Sequence, residues 1–269
     1  YGNKPFFIAL GLQKPHVPFL APDKYFDLYP FDKITYKTDR SNLWDFLPQS
    51  ALSKRYEAFG FEFAKENHTL RKEYMQAYHA CVSFIDAQLG LVMDSLKKQG
   101  LWEDTVIVFT SDHGYHLGDH FIWGKVTLFD IGAKVPFIVR APGLTKSGTT
   151  SEAMVELIDI YPTLADLAGL KAPIHLQGSS LRPLLGHPER LGKKKYAYSV
   201  VTRGPKNLGY ALRNQNWRYG KWPDGEELYN LRSDPQEKNN LAQKDHLKQR
   251  LLEFRKILAE KQENFENTK

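Results

Sequence analysis

The chain has 269 residues, 37 Lys and Arg against 31 Asp and Glu, and is 42% hydrophobic and 13% aromatic. That length suffices for a sizeable core, and no apolar stretch nears the roughly 20 residues that cross a bilayer, so no membrane span is expected. The whole positive excess lies in residues 191–269, with 17 cations and 10 acids interleaved rather than massed; this argues against a nucleic-acid partner, though it could steer an acidic saccharide.

In chain order, Tyr1-Gly2-Asn3-Lys4 runs straight into the apolar residues Pro5 to Leu10, read as a first strand. There is no initiator Met and no signal-peptide pattern, so an upstream portion of the same protein is expected to be missing. From Gly11 to Pro30 closely spaced prolines, including Lys14-Pro15-His16-Val17-Pro18, demand a largely irregular loop after that strand. Asn67-His68-Thr69 is a sequon compatible with glycosylation or with chance. Arg71 to Gln99 reads as one long helix, because Tyr74, Tyr78, Cys81, Ile85, Leu89, Val92 and Leu96 recur at three and four and Gly100 stops it. The lone Cys81 sits on that stripe, so it is a packing residue and forms no disulfide within the chain.

Val106 to Thr110 and Val135 to Val139 are continuous apolar runs, as expected of parallel strands covered on both faces. Asp159 to Gly169 reads as a helix with Asp159 at the N-cap, Pro162 in the first turn and Gly169 at the end. Beyond residue 190 the pattern changes. Tyr196 to Val201, Tyr210 to Arg213, Trp217 to Trp222 and Glu227 to Leu231 look like antiparallel strands, and Leu247, Leu251, Phe254 and Leu258 mark a closing helix. The fold class is therefore α/β, with residues 1–190 belonging to a large domain and 191–269 forming a small α+β subdomain.

The second strand ends in Thr110-Ser111-Asp112-His113-Gly114-Tyr115-His116-Leu117-Gly118-Asp119-His120. Ligands of open α/β sheets gather outside the carboxyl ends of strands. Adjacent Asp112 and His113 can face one cation, and Gly114 lets the backbone turn sharply; the plainer alternative is a capping Asp beside a hydrogen-bonded His. Lys125 follows twelve residues after His113, and a compact ammonium beside a metal suits a sulfate or phosphate; His16 could reach the same mouth. His116, His120 and Trp123 flank the strand end and are candidate saccharide contacts, each equally compatible with packing.

Three stretches carry a resemblance: Lys14-Pro15-His16-Val17-Pro18-Phe19, the run from Thr110 to His120, and Asp159-Ile160-Tyr161-Pro162-Thr163-Leu164-Ala165-Asp166-Leu167-Ala168-Gly169. With Gly178-Ser179-Ser180-Leu181-Arg182-Pro183 and Trp222-Pro223-Asp224-Gly225 to Leu231 further on, nearly the whole chain resembles the C-terminal two-thirds of a type I sulfatase, most closely the iduronate-2-sulfatase branch. The resemblance implies an alkaline-phosphatase-like sandwich with a mostly parallel sheet and a small C-terminal subdomain with an antiparallel sheet. It implies hydrolysis of a sulfate ester on a saccharide, a 2-O-sulfated uronate in the leading case. Asp112 and His113 become ligands of a divalent cation, Ca²⁺ or alternatively Mn²⁺, Zn²⁺ or Mg²⁺, while Lys125 and His16 become contacts of the sulfate.

The formylglycine nucleophile of that family arises in a Cys/Ser-x-Pro-x-Arg motif, and Cys81-Val82-Ser83-Phe84 does not match it. The nucleophile is therefore expected upstream, the fragment alone is expected to be inactive, and the compartment implied is periplasmic or extracellular, or lysosomal in an animal. The rival readings are a phosphoester or phosphonate ester hydrolase of the same superfamily and a non-catalytic carbohydrate-binding piece.

Overall fold

The computed structural model describes residues 4–39, 41–52, 67–204 and 207–266. They divide into two compact units, Tyr1–Lys37 with Ala58–Glu103, and Thr38–Glu57 with Asp104–Lys269.

The first unit holds the short α1 (Asp23–Phe26) and the long α2 (His68–Lys98). Helix α2 begins three residues earlier than its apolar period indicates because Asn67 caps it, the side-chain oxygen accepting the Leu70 amide at 2.9 Å. The Pro-rich loop covers the N-terminal half of the apolar stripe. Phe19 sets its ring edge-on to Tyr74 and Tyr78 at 4.7 and 5.6 Å, and the buried Cys81 donates to the Leu20 carbonyl at 3.6 Å. Burial pushes the Cys81 thiol up, so it packs and stays unreactive, as its place on the stripe implies.

Residues 6–10 do not form the expected strand. Phe7 and Ile8 are 78% and 73% exposed, and no strand among the described residues pairs with them. An apolar run becomes a strand only where a neighbour takes up its N–H and C=O groups.

The second unit contains β1 (Ile107–Thr110), β2 (His116–Leu117), β3 (Trp123–Gly124), α3 (Asp130–Ala133), β4 (Phe137–Arg140), α4 (Ile160–Leu167), α5 (Arg182–Gly186), β5 (Ala197–Thr202), β6 (Leu208–Arg213), β7 (Trp217–Trp222), β8 (Gly225–Asn230) and α6 (Lys248–Glu266). Strands β1 and β4 occur where the apolar runs place them, but they pair antiparallel, Ile107 opposite Arg140 and Thr110 opposite Phe137. This corrects the expected parallel pairing. The residues between them form the β2–β3 hairpin and the single turn of α3 instead of a crossover helix, so the chain comes back in the opposite direction. Full cover is also missing, since Ile138 is 61% exposed. Helix α4 has the expected bounds, with Gly169 at φ +69° beyond its end. The buried Asp159 does not cap it with its side chain; the carboxylate accepts the Glu156 and Ser179 amides at 2.9 and 2.8 Å and pairs with Lys194 at 2.7 Å.

Strands β5 to β8 form one antiparallel sheet in sequence order. Leu212, Tyr219 and Leu228 stand side by side across β6, β7 and β8, and Leu251, Phe254 and Leu258 of α6 pack on that row. The period-2 alternation sends Arg218, Gly220 and Trp222 to the opposite face, where the loop from Gly118 to Ala133 lies. Helix α6 thus closes one face and this loop the other.

Phe254 is 1% exposed and stacks 5.6 Å from Tyr219. Phe254→Ala is expected to cost about 3–5 kcal/mol in denaturant unfolding, whereas Leu252→Ala on the exposed side of α6 stays within about 0.5 kcal/mol.

Candidate active site

Strand β1 ends at Thr110, and the chain turns there through Asp112 and His113. The turn holds itself in shape: the Asp112 carboxylate accepts the His113 amide at 2.9 Å, and Ser111 Oγ donates to the His113 carbonyl at 2.9 Å. His113 Nδ1 lies 2.9 Å from the Gly114 carbonyl, which can only accept. Nδ1 therefore carries the hydrogen, and in the neutral ring Nε2 presents a lone pair. That nitrogen lies 3.6 Å from Asp112 Oδ2, and the carboxylate is 84% exposed. Two donors about 2.4 Å from one ion and at right angles around it stand about 3.4 Å apart, so the pair fits two adjacent positions on a divalent cation. Among the described residues no group of three or more His, Cys, Asp or Glu side chains is arranged to hold a metal ion.

Gly114 follows of necessity. A Cβ there would lie 2.0 Å from the Ile131 carbonyl oxygen, because its amide donates to the Gly132 carbonyl at 2.9 Å. The turn is thereby fastened to α3.

Lys125 directly follows β3 and is half-buried. The next residue, Val126, is held at φ +67°, a left-handed conformation that a β-branched residue adopts only when its surroundings force it. His120 and Phe121 are held similarly at +55° and +57°. The loop from Gly118 to Thr127 is therefore a built, strained structure that joins the Asp112–His113 turn and Lys125.

His116, His120 and Trp123, expected as saccharide contacts, are buried at 0%, 4% and 3% exposure and present no surface to a sugar. They form the interior of the loop instead. His116 lies 3.1 Å from the Asp119 carbonyl through Nδ1 and 2.7 Å from Thr127 Oγ1 through Nε2, so Nδ1 donates and the Thr127 hydroxyl donates to Nε2. Burial, followed by the neighbouring His120, drives its pKa down to about 3. His120 stacks on Phe129 at 3.8 Å and donates from Nε2 to the Glu237 carbonyl at 3.1 Å. Burial lowers it as well. His16 belongs to the first unit, exposed on the Pro-rich loop with Nδ1 2.7 Å from the Val17 carbonyl.

The group beneath this loop carries no signature in the residue pattern. Arg218, Glu227 and Glu237 are almost fully buried together. Arg218 pairs through Nε with Glu237 and through its two terminal nitrogens with Glu227 at 3.4 Å, between the rings of Phe129 and Tyr229 at 4.9 and 4.6 Å. Glu227 also accepts from Trp222 Nε1 at 2.9 Å and Tyr229 Oη at 3.1 Å, and Glu237 Oε2 accepts the Asp130 amide at 2.6 Å. Burial alone would lower the Arg218 pKa, but Glu237 and Glu227 more than offset it and hold the guanidinium above its ordinary value. Burial pushes the Glu237 carboxyl up to about 6, against the pull of Arg218 and with Asp130 adding to the rise.

With this geometry established, the family follows from comparison. The Sulfatase family model matches residues 2–170, and the model described as N-sulphoglucosamine sulphohydrolase, C-terminal, matches residues 118–264. The chain belongs to the sulfatase family. It is 37% identical to a sulfatase of Formosa agariphila over 95% of this chain and 50% of the relative, and 30% identical to iduronate 2-sulfatase of Homo sapiens over 88% and 58%. The chain thus spans about half the length of the curated relatives it matches. Among solved structures, the phosphonate monoester hydrolase of Silicibacter pomeroyi superposes with a TM-score of 0.81 at 28% identity, covering 93% of this chain and 54% of that one. The alkaline-phosphatase-like α/β class expected from the motifs is thus the fold of this sulfatase chain.

Because His116 binds fewer protons folded than unfolded between pH 3 and 6.5, its contribution to stability is complete above pH 6.5 and is lost as pH falls toward 3. Urea unfolding of the wild type is expected to show this at up to about 1.4 kcal/mol per pH unit, and His116→Gln, which takes up no proton, is expected to lack that component.

Proposed function

We propose that the full-length protein is a sulfuric ester hydrolase acting on a sulfated saccharide, with a 2-O-sulfated uronate as the first substrate to test. The observation that carries this is the exposed Asp112 carboxylate beside the His113 Nε2 lone pair at the end of β1, with Lys125 following in the loop after β3. The likeness to human iduronate 2-sulfatase supports the substrate class.

Asp112 and His113 would hold the divalent cation; bound there, it supplies positive charge against the oxygens of the anion. Ca²⁺ is the family's expected ion, and His113 is its least natural ligand, because that ion prefers oxygen. Lys125 would hold a sulfate oxygen with a fixed ammonium as charge shifts toward the leaving alcohol. The role given to His16 rests on the Lys14–Phe19 motif alone. Cys81 is excluded as nucleophile by its burial on α2, so the formylglycine would come from polypeptide outside these residues. Residues 191–269 are proposed as the subdomain bracing the site, and a periplasmic, extracellular or lysosomal setting as its location. Among the described residues, no helix is long and apolar enough to cross a membrane.

The full-length protein is expected to release sulfate from 2-O-sulfated uronate disaccharides in a metal-dependent manner. Lys125→Ala should lower kcat about a hundredfold. Asp112→Ala should remove bound divalent cation, measured by elemental analysis, together with turnover. Near-unchanged turnover in Lys125→Ala would take it out of the site. The likeness to the phosphonate monoester hydrolase supports a second reading, which predicts faster release from a phenyl phosphonate monoester than from any sulfate ester.

A further inference from the structure

We propose that Glu237 is a positioning residue, a clamp that fixes the loop carrying the Asp112–His113 turn and Lys125 onto the C-terminal sheet. The proposal rests on the functional reading above for what the loop does, but not for the clamp itself.

Three contacts from one residue converge on the loop. The Glu237 carboxylate takes Arg218 Nε on one oxygen and the Asp130 amide at 2.6 Å on the other, and its carbonyl takes His120 Nε2 at 3.1 Å. Asp130 opens α3, whose Gly132 carbonyl receives the Gly114 amide at 2.9 Å, so Glu237 is linked to the Asp112–His113–Gly114 turn by one carboxylate–amide hydrogen bond, the single turn of α3 and one backbone hydrogen bond. The neighbouring Lys238 pairs with Asp39 at 2.7 Å, and Asp39 accepts the His120 amide at 2.9 Å, tying the same loop a second time.

The backbone supports the same conclusion. Glu237 stands at φ +54°, facing His120 and Phe121 at +55° and +57°, with Val126 at +67° further along the loop. Non-glycine residues keep such angles only where surrounding contacts over-determine them, and the Glu237 contacts supply that constraint. Arg218, Glu227, Asp130, His120 and Tyr229 are charged or titratable groups around Glu237, which is itself buried at 2% exposure. Glu237 therefore acts through the loop.

The test uses the full-length protein and Glu237→Gln, which keeps the shape and an acceptor for Arg218 but turns an N–H₂ group toward the Asp130 amide. Hydrogen–deuterium exchange is expected to speed at least tenfold in peptides covering residues 113–133, with β5 to β8 and α6 unchanged. If Glu237→Gln does not fold, Glu237→Asp retains the charge but is too short to serve both Arg218 and Asp130, and the same local pattern is expected. On a sulfate ester, kcat should fall about tenfold with KM nearly constant. Unchanged exchange at 113–133, or exchange rising equally across the sheet, overturns the clamp. A loosened loop with undiminished kcat overturns the positioning role. A wild type that hydrolyses no sulfate ester overturns the functional reading, while the exchange result still decides the clamp.

Discussion

The second unit depends on a guanidinium enclosed between two carboxylates. Arg218 projects from the face of β7 turned away from α6, and at 1% exposure it has no water to replace a lost partner. Removing Arg218 leaves two buried carboxylates uncompensated, at a cost of at least about 3–5 kcal/mol. The group is tolerated because its oxygens are satisfied: Trp222, Tyr229 and the Asp130 amide supply the donors that solvent would otherwise provide. Burial is the physical source of the raised Glu237 pKa, with Asp130 adding to the rise and Arg218 opposing it.

This arrangement separates two kinds of polar group within a few residues of each other. Asp112 is exposed and His113 half-buried, and both are oriented by their own backbone. His116 and His120, three and seven residues on from His113, are buried, and burial holds both pKa values down. Their task is hydrogen bonding inside the loop, where a neutral ring offers one donor and one acceptor at fixed angles. A charged imidazole at His116 would lose the acceptor that Thr127 uses, and one at His120 would repel Arg218.

Much of this was legible in the residue pattern. The four strands of the C-terminal sheet, α2, α4 and α6 follow from apolar spacing and turn residues, since each element buries one face against a partner within the same stretch of chain. The Asp112–His113 turn was legible because two ligand-type side chains stood at the end of an apolar run. Strand direction was not legible: a continuous apolar run suggests burial on both faces, yet β1 is only half-buried and residues 6–10 are exposed. The three buried aromatic and imidazole residues of the loop looked like surface contacts because His and Trp carry polar atoms; their positions were set by Phe129 and Thr127. Glu237 lies in the hydrophilic run Asp234-Pro235-Gln236-Glu237, and no local pattern distinguishes an acid that meets a buried arginine nineteen residues earlier.

The same contacts explain why the site can be rigid although its strand is weak. Strand β1 supplies direction, carrying the chain to Asp112, but a four-residue ladder with one antiparallel partner is marginal as an anchor. Rigidity enters from the other end. From Gly114 the constraint passes to Gly132, through the single turn of α3 to the Asp130 amide, into Glu237 and Arg218, and so to β7, held on both sides by β6 and β8 and backed by the apolar row on α6. The 3.6 Å separation of Asp112 Oδ2 and His113 Nε2 persists only if their turn is held, and within this unit the sheet farthest from it in sequence does most to hold it.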